Sequence, residues 1–197
     1  MNTLSKNVAI LTLTVVAISS GGAFAMIQDN EVPQTTSDDI TVLGHVEVVA
    51  RNADGEIKAY RQTDNIIVTR GFECAAQDLF GAPQTNCGSI GIFDKIGVGT
   101  DSTAAVVGNI NVGTQASNKR IDASVADSGS SGAIIDATWL QNTLKNGTGT
   151  TAVVESGLFD SSTNATGNMF ARQTFTAINV GESDTLTVTW TVTFAQG

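Results

Sequence analysis

An antiparallel β-sandwich of jelly-roll or immunoglobulin-like type, with one short helix, is the fold class that three features of this 197-residue sequence predict. Short runs of β-branched and aromatic residues recur along most of the chain, separated by Ser/Gly/Asn/Thr turns. One run, Thr185 to Phe194 (TLTVTWTVTF), alternates apolar residues with threonines without exception, the period of a half-buried strand. Only 15% of the residues are charged against 41% hydrophobic, with 20 glycines and two prolines, a composition that can fill a core and excludes disorder.

The chain opens with the three parts of a secretory signal peptide: Lys6, an apolar run from Val8 to Ile18 (VAILTLTVVAI), and the small-x-small site Ala23-Phe24-Ala25. A membrane span needs about 20 predominantly apolar residues, and Ser19-Ser20-Gly21-Gly22 breaks this run first. Residues 1–25 are therefore expected to be a cleaved leader, leaving a chain outside the cell, or on its surface, with no stable membrane span. Residues 26–39 (MIQDNEVPQTTSDD) hold four acidic side chains, no basic one and no periodicity, which predicts a flexible arm. Met26, Ile27 and Val32, with Ile40 and Val42 just beyond, are the side chains that would anchor such an arm on a partner. The sandwich domain is placed at 40–197.

Ile40 to Arg51 (ITVLGHVEVVAR) and Glu56 to Arg61 (EIKAYR) are β-prone and flank Asn52-Ala53-Asp54-Gly55, a hairpin signal in which Asp-Gly supplies the positive-φ residue. Asn65 to Thr69 is a further short run. In Gly71 to Phe80 (GFECAAQDLF), Phe72, Ala75, Ala76, Leu79 and Phe80 recur at helical spacing and Gly81 offers the stop. Ile90 to Thr100 (IGIFDKIGVGT) suits a buried strand, and its glycines are no dinucleotide fingerprint because no helix follows them. Ile121 to Ala126, Ala133 to Leu140, Thr151 to Phe159 and Met169 to Phe175 supply more strands. In the last run, Leu186, Val188, Trp190, Val192 and Phe194 share one face, expected in the core. The threonine face opposite is either ordinary solvated surface or a face covered by a neighbouring subunit.

In an oxidising compartment an even cysteine pair is usually a bridge, so Cys74 and Cys87 are expected to form a disulfide. A metal site or a cysteine nucleophile would need partners that the single histidine, His45, does not supply; His45 is expected to be structural. Asn146-Gly147-Thr148 and Asn164-Ala165-Thr166 are sequons, which make Asn146 and Asn164 candidate glycan acceptors in a secreted chain. Asp38-Asp39, and Glu182 with Asp184, read as solvated loop acids, since no apolar pocket residues stand near to raise one pKa of either pair. Asp160-Ser161-Ser162-Thr163-Asn164 offers oxygen ligands without the spacing of a dedicated calcium loop. Ten Lys and Arg against 19 Asp and Glu, net charge −9, leave no basic stripe for nucleic acid. Neither a cofactor nor a resident metal is expected, and no enzymatic activity.

Ile96-Gly97-Val98-Gly99-Thr100 with Asp101 to Ala105, Glu155 to Asp160 (ESGLFD), Met169-Phe170-Ala171-Arg172 and Gly181 to Phe194 follow one another in an order that resembles a β-rich module of phage tail and other virion structural proteins. The likeness covers most of Asn65 to Phe194 and implies a structural or receptor-facing module without catalysis. The signal peptide and the cysteine pair depart from that family. In layout the chain is also similar to secreted β-sandwich subunits of prokaryotic filaments, which lend an N-terminal strand to a neighbour. The expected function is a secreted structural protein that polymerises with itself by lending its arm; the alternative is an adhesin or tail-fibre-like module that binds surface glycans through its loops.

Overall fold

Two five-stranded antiparallel sheets carry the fold in the computed structural model, which describes residues 40–116, 120–129, 131–144, 149–164 and 166–196. The expected leader, the arm with Met26, Ile27 and Val32, and the sequon residue Asn146 lie outside the described residues. In chain order the elements are β1 (Ile40–Arg51), β2 (Ile57–Asp64), β3 (Ile66–Ile67), the helix α1 (Thr69–Phe80), β4 (Lys95–Gly99), β5 (Ile121–Asp122), β6 (Ser124–Asp127), β7 (Gly132–Trp139), β8 (Thr151–Phe159), β9 (Met169–Val180) and β10 (Thr185–Gln196). The spatial orders are β2-β1-β10-β7-β6 and β3-β9-β8-β4-β5.

The strict alternation of β10 makes it the centre of the first sheet. It pairs with β1 along its whole length, from Thr185 opposite Arg51 to Gln196 opposite Ile40, and with β7 on its other side. Leu186, Val188, Trp190 and Val192 are buried with Val46, Val48 and Ala50 of β1 and Ile135, Ala137 and Trp139 of β7, and they share one core with Ile96, Val98, Val153, Ile178 and Val180 of the second sheet. Full burial of such side chains is worth about 1.5–3 kcal/mol each. The fifth residue expected there, Phe194, is 42% exposed: the β1–β10 pair outruns the core at this end, with Val42 opposite Phe194 only half-buried and Ile40 exposed. The threonine face is half-buried, and Thr187 and Thr138 bond through their hydroxyls at 2.9 Å while the Thr189 hydroxyl donates to Asp136 at 2.5 Å. Between the sheets, the Trp190 indole N–H donates to the Ser156 hydroxyl at 3.2 Å, which donates to the carbonyl of Gly97 at 3.2 Å.

The hairpin turns as expected, with Gly55 at φ 82°, and the Asn52 side-chain oxygen accepts from the backbone N–H of Asp54 and Glu56. Other boundaries shift. The run Asn65 to Thr69 keeps only two residues as strand, because Thr69 already opens α1. Ile90 to Thr100 is strand only over Lys95–Gly99, and Ile92 is 76% exposed. Ile121 to Ala126 divides at Ala123, whose N–H bonds the carbonyl of Asp94, and the chain leaves one sheet for the other there. β9 runs on to Val180; Thr174 faces Glu155 and Ile178 faces Val153, so three of its residues, Phe175 to Ala177, bulge opposite Val154.

α1 ends where expected, at Gly81 in the left-handed conformation, but its faces are not those the apolar spacing suggests. Gly71 and Cys74 turn inward, and a Cβ on Gly71 would lie 2.3 Å from the Phe170 carbonyl oxygen. Phe72, Leu79 and Phe80 face outward. The helix approaches β9 so closely through its small residues that its large ones are left at the surface.

Candidate assembly site

Three ties hold the loops, one a disulfide and two built on buried arginines. Cys74 of α1 and Cys87 form the expected disulfide, Cα atoms 5.5 Å apart, and fold the segment after the helix back on it. The Gln77 side chain reinforces the fold-back by accepting from the Gln84 N–H at 2.8 Å.

The second tie is a buried ion pair. Glu155 of β8 receives Arg172 of β9 at 2.9 Å (Nε) and 2.7 Å (NH2), with both side chains almost wholly buried. Its other bonds come from the loop after β4: the N–H groups of Asp101 and Thr114 donate to Oε1 at 3.1 Å each, and that of Gly113 to Oε2 at 2.9 Å. Arg172 spends its remaining donors on the carbonyls of Thr103 (3.0 Å) and Ala104 (3.4 Å) and on the Asn109 side chain (3.0 Å). Gly99 is required beside this pair, since a Cβ there would stand 2.2 Å from Glu155 Oε1. A buried charge is tolerable only when paired and fully bonded, and here the bonding fixes the course of residues 101–114.

The third tie is Arg120, also buried. Its guanidinium lies 3.4 Å from the centroid of the Phe159 ring and donates to the carbonyls of Ser161 (3.0 Å), Thr166 (3.1 Å) and Asn164 (3.3 Å) and to the Asn111 side chain (3.1 Å). Burial pushes its pKa down to about 10, against the opposing pull of Asp160, so it stays charged at neutral pH. The sequon residue Asn164 is half-buried in this loop, its side-chain oxygen accepting from Gln115 at 2.7 Å. The Asp160 carboxylate, weighed above as a calcium ligand, accepts from the N–H and the side-chain amide of Asn168 at 2.6 and 2.7 Å. Among the described residues no three His, Cys, Asp or Glu side chains are grouped to hold a metal.

His45 bonds the well-exposed Asp64 at 3.1 Å across the β1–β2 pair, on the outer face of the sheet. Asp184 corrects the reading of a solvated loop acid: it is buried and paired with Lys58 at 2.5 Å. Burial raises its pKa, but the Lys58 bond and the Gly181 N–H outweigh that and hold it below the usual carboxylate range. Neither Glu155, Arg172 nor Arg120 was singled out from the sequence as a site residue. The only signals were charged residues inside apolar strand runs and next to a glycine-rich turn.

The remaining surface features are open edges and apolar side chains. The first sheet ends in β2 on one side and β6 on the other, with no strand beyond either among the described residues. Phe72, Leu79, Phe80, Val106, Val107 and Ile110 are exposed, and the carbonyl of Val107 accepts the first N–H of α1 at 2.8 Å. Ile40 and Val42, counted above among the anchors of the arm, are built into β1 opposite Gln196 and Phe194 of the same chain. Among the described residues no helix is long and apolar enough to cross a membrane. No family model, curated protein or solved structure matches the chain.

Proposed function

We propose that this chain is an exported structural protein without catalytic activity, and that it polymerises into an extracellular filament or surface layer as each copy lends residues 26–39 to the next. The observation that carries this reading is the first sheet's two open ends, β2 and β6. An open strand is a template for pairing with another chain. An added strand gains affinity from main-chain hydrogen bonds and specificity from alternate side chains. When each copy gives its arm to a different copy from the one whose arm it receives, and the rotation between them does not close a ring, the contact propagates into a fibre. The exposed apolar residues of α1 and of 106–110, and the likeness in layout to secreted filament subunits, support the same reading. Deleting Met26 to Asp39 from the exported chain tests it: sedimentation should show loss of polymer with the melting temperature of the sandwich retained. Unchanged polymerisation would refute arm donation.

A second reading rests on the loops at 101–114 and 160–164, which buried arginines hold in place. Rigidly held loops on a β scaffold suit recognition, and an adhesin would present them to a surface glycan. Selective binding on a glycan array would favour it.

A further inference from the structure

The large side chains that α1 leaves outside share one flank of the helix. With 3.6 residues to a turn, Phe72, Ala76 and Leu79 fall within about 60° of one another around its axis. Phe72 and Leu79 are exposed, and the half-buried Ala76 lies between them. The charged residues of the helix, Arg70, Glu73 and Asp78, stand about 90° or more away from this stripe. Glu73 is bonded to Asn86, in the segment that the disulfide folds back, at 3.0 Å. Val106, Val107 and Ile110 are exposed on the loop that meets the first turn of α1, where the Val107 carbonyl accepts the Thr69 N–H.

The surroundings of the stripe are short of charge. Residues 79–93, from the end of the helix onward, and 102–116, which include that loop, contain no Asp, Glu, Lys or Arg, against 15% charged residues in the whole chain. Copies of a chain with net charge −9 repel one another, and the repulsion is least where the meeting surfaces carry no charge. The two stretches offer no cation to the headgroups of an anionic membrane. Phe72, Leu79, Phe80, Val106, Val107 and Ile110 are between 47% and 79% exposed. With aromatic side chains presenting about 150–250 Å² each, the six supply on the order of 600 Å² of apolar surface. A standard interface takes about 800 Å² from each partner, so this is the size of an interface core before its polar rim is added.

We infer that this face is a self-association surface, on which α1 of one copy packs antiparallel against α1 of a second about a two-fold axis near Ala76. The stripe runs large, small, large. A two-fold at its middle sets Phe72 of each copy against Leu79 of the other, and Ala76 lets the helices come close. Such a contact is isologous and closes on two copies. It is independent of arm donation, which joins copies head to tail; with both in place, filaments pair side by side.

The test uses the exported chain, kept below any concentration at which it polymerises. Sedimentation velocity should show a monomer–dimer equilibrium that salt strengthens, because screening weakens the repulsion between like-charged copies. Phe72→Lys with Leu79→Lys should raise the dimer dissociation constant on the order of a hundredfold, since each change counts twice across the two-fold. Leu79→Gln alone should raise it less, and it decides the matter if the lysine pair fails to fold. A photo-crosslinking phenylalanine analogue at Leu79 should capture the peptide holding Phe72 from another copy, and one at Val125 should not. Deleting residues 26–39 should leave the dimer unchanged, which separates this contact from arm donation. The proposal is overturned by monomer at every concentration, by a dimer indifferent to these substitutions or lost with residues 26–39, or by capture of 26–39 at Leu79. Binding to phosphatidylcholine vesicles in place of a dimer, abolished by the lysine pair, would overturn it as well.

Discussion

Glu155 is the side chain on which most of the loop structure converges, because one carboxylate takes bonds from Arg172 and from three backbone N–H groups of the loop after β4. Glu155→Gln keeps the shape but turns an amide N–H₂ toward either an N–H or a guanidinium and leaves Arg172 buried without its counter-charge. Breaking a buried pair from one side costs about 3–5 kcal/mol, and urea midpoints should fall accordingly. Asp184 makes a pH-dependent contribution. Its pKa is lowered in the folded chain, so the stability it confers is present above the ordinary carboxylate pKa of about 4 and is lost as the pH falls through the folded value. Lys58→Met removes the pairing and keeps the burial. The variant should therefore be less stable than the parent at pH 7, and the difference should shrink at pH 3, as denaturant titrations at the two pH values would show.

At the scale of elements, the disulfide ties α1 to the segment that follows it, outside both sheets. Cross-linking a loop of this size confers about 3 kcal/mol in the chain-entropy account. Cys74→Ser with Cys87→Ser should accordingly speed amide exchange in residues 70–91 and leave β1 and β10 protected, since local unfolding follows contiguous units. Much of this level is legible in the sequence: β1, β8 and β10 lie within a residue or two of their expected bounds, Gly55 and Gly81 mark their turn and stop, and Cys74 joins Cys87. What was not legible depends on contacts distant in sequence. The inward face of α1 is chosen by how closely Gly71 lets it approach Phe170, so a local apolar period pointed to the wrong side. Asp184 looked like a loop acid because Lys58 is 126 positions away. Glu155 and Arg172 sit in apolar runs, and only the pairing of β8 with β9, together with the return of residues 101–114, explains why charges belong there.

For the whole molecule, the same features that complete the sandwich leave it open to a neighbour. β1 and β10 close the middle of the first sheet along twelve residues each, while β2 and β6 remain its ends and three large apolar residues of α1 remain outside. A formal charge of −9 on the full sequence disfavours indiscriminate association, so any polymer must be directed by specific contacts. Under the arm-donation proposal, those contacts are the arm and an open edge of the first sheet. Electron microscopy of Met26 to Gly197, purified under oxidising conditions across a range of concentrations, tests this most directly. Ordered filaments are expected, with density for residues 26–39 crossing onto a sheet edge of the next copy. Monomers or small closed oligomers at every concentration would contradict it.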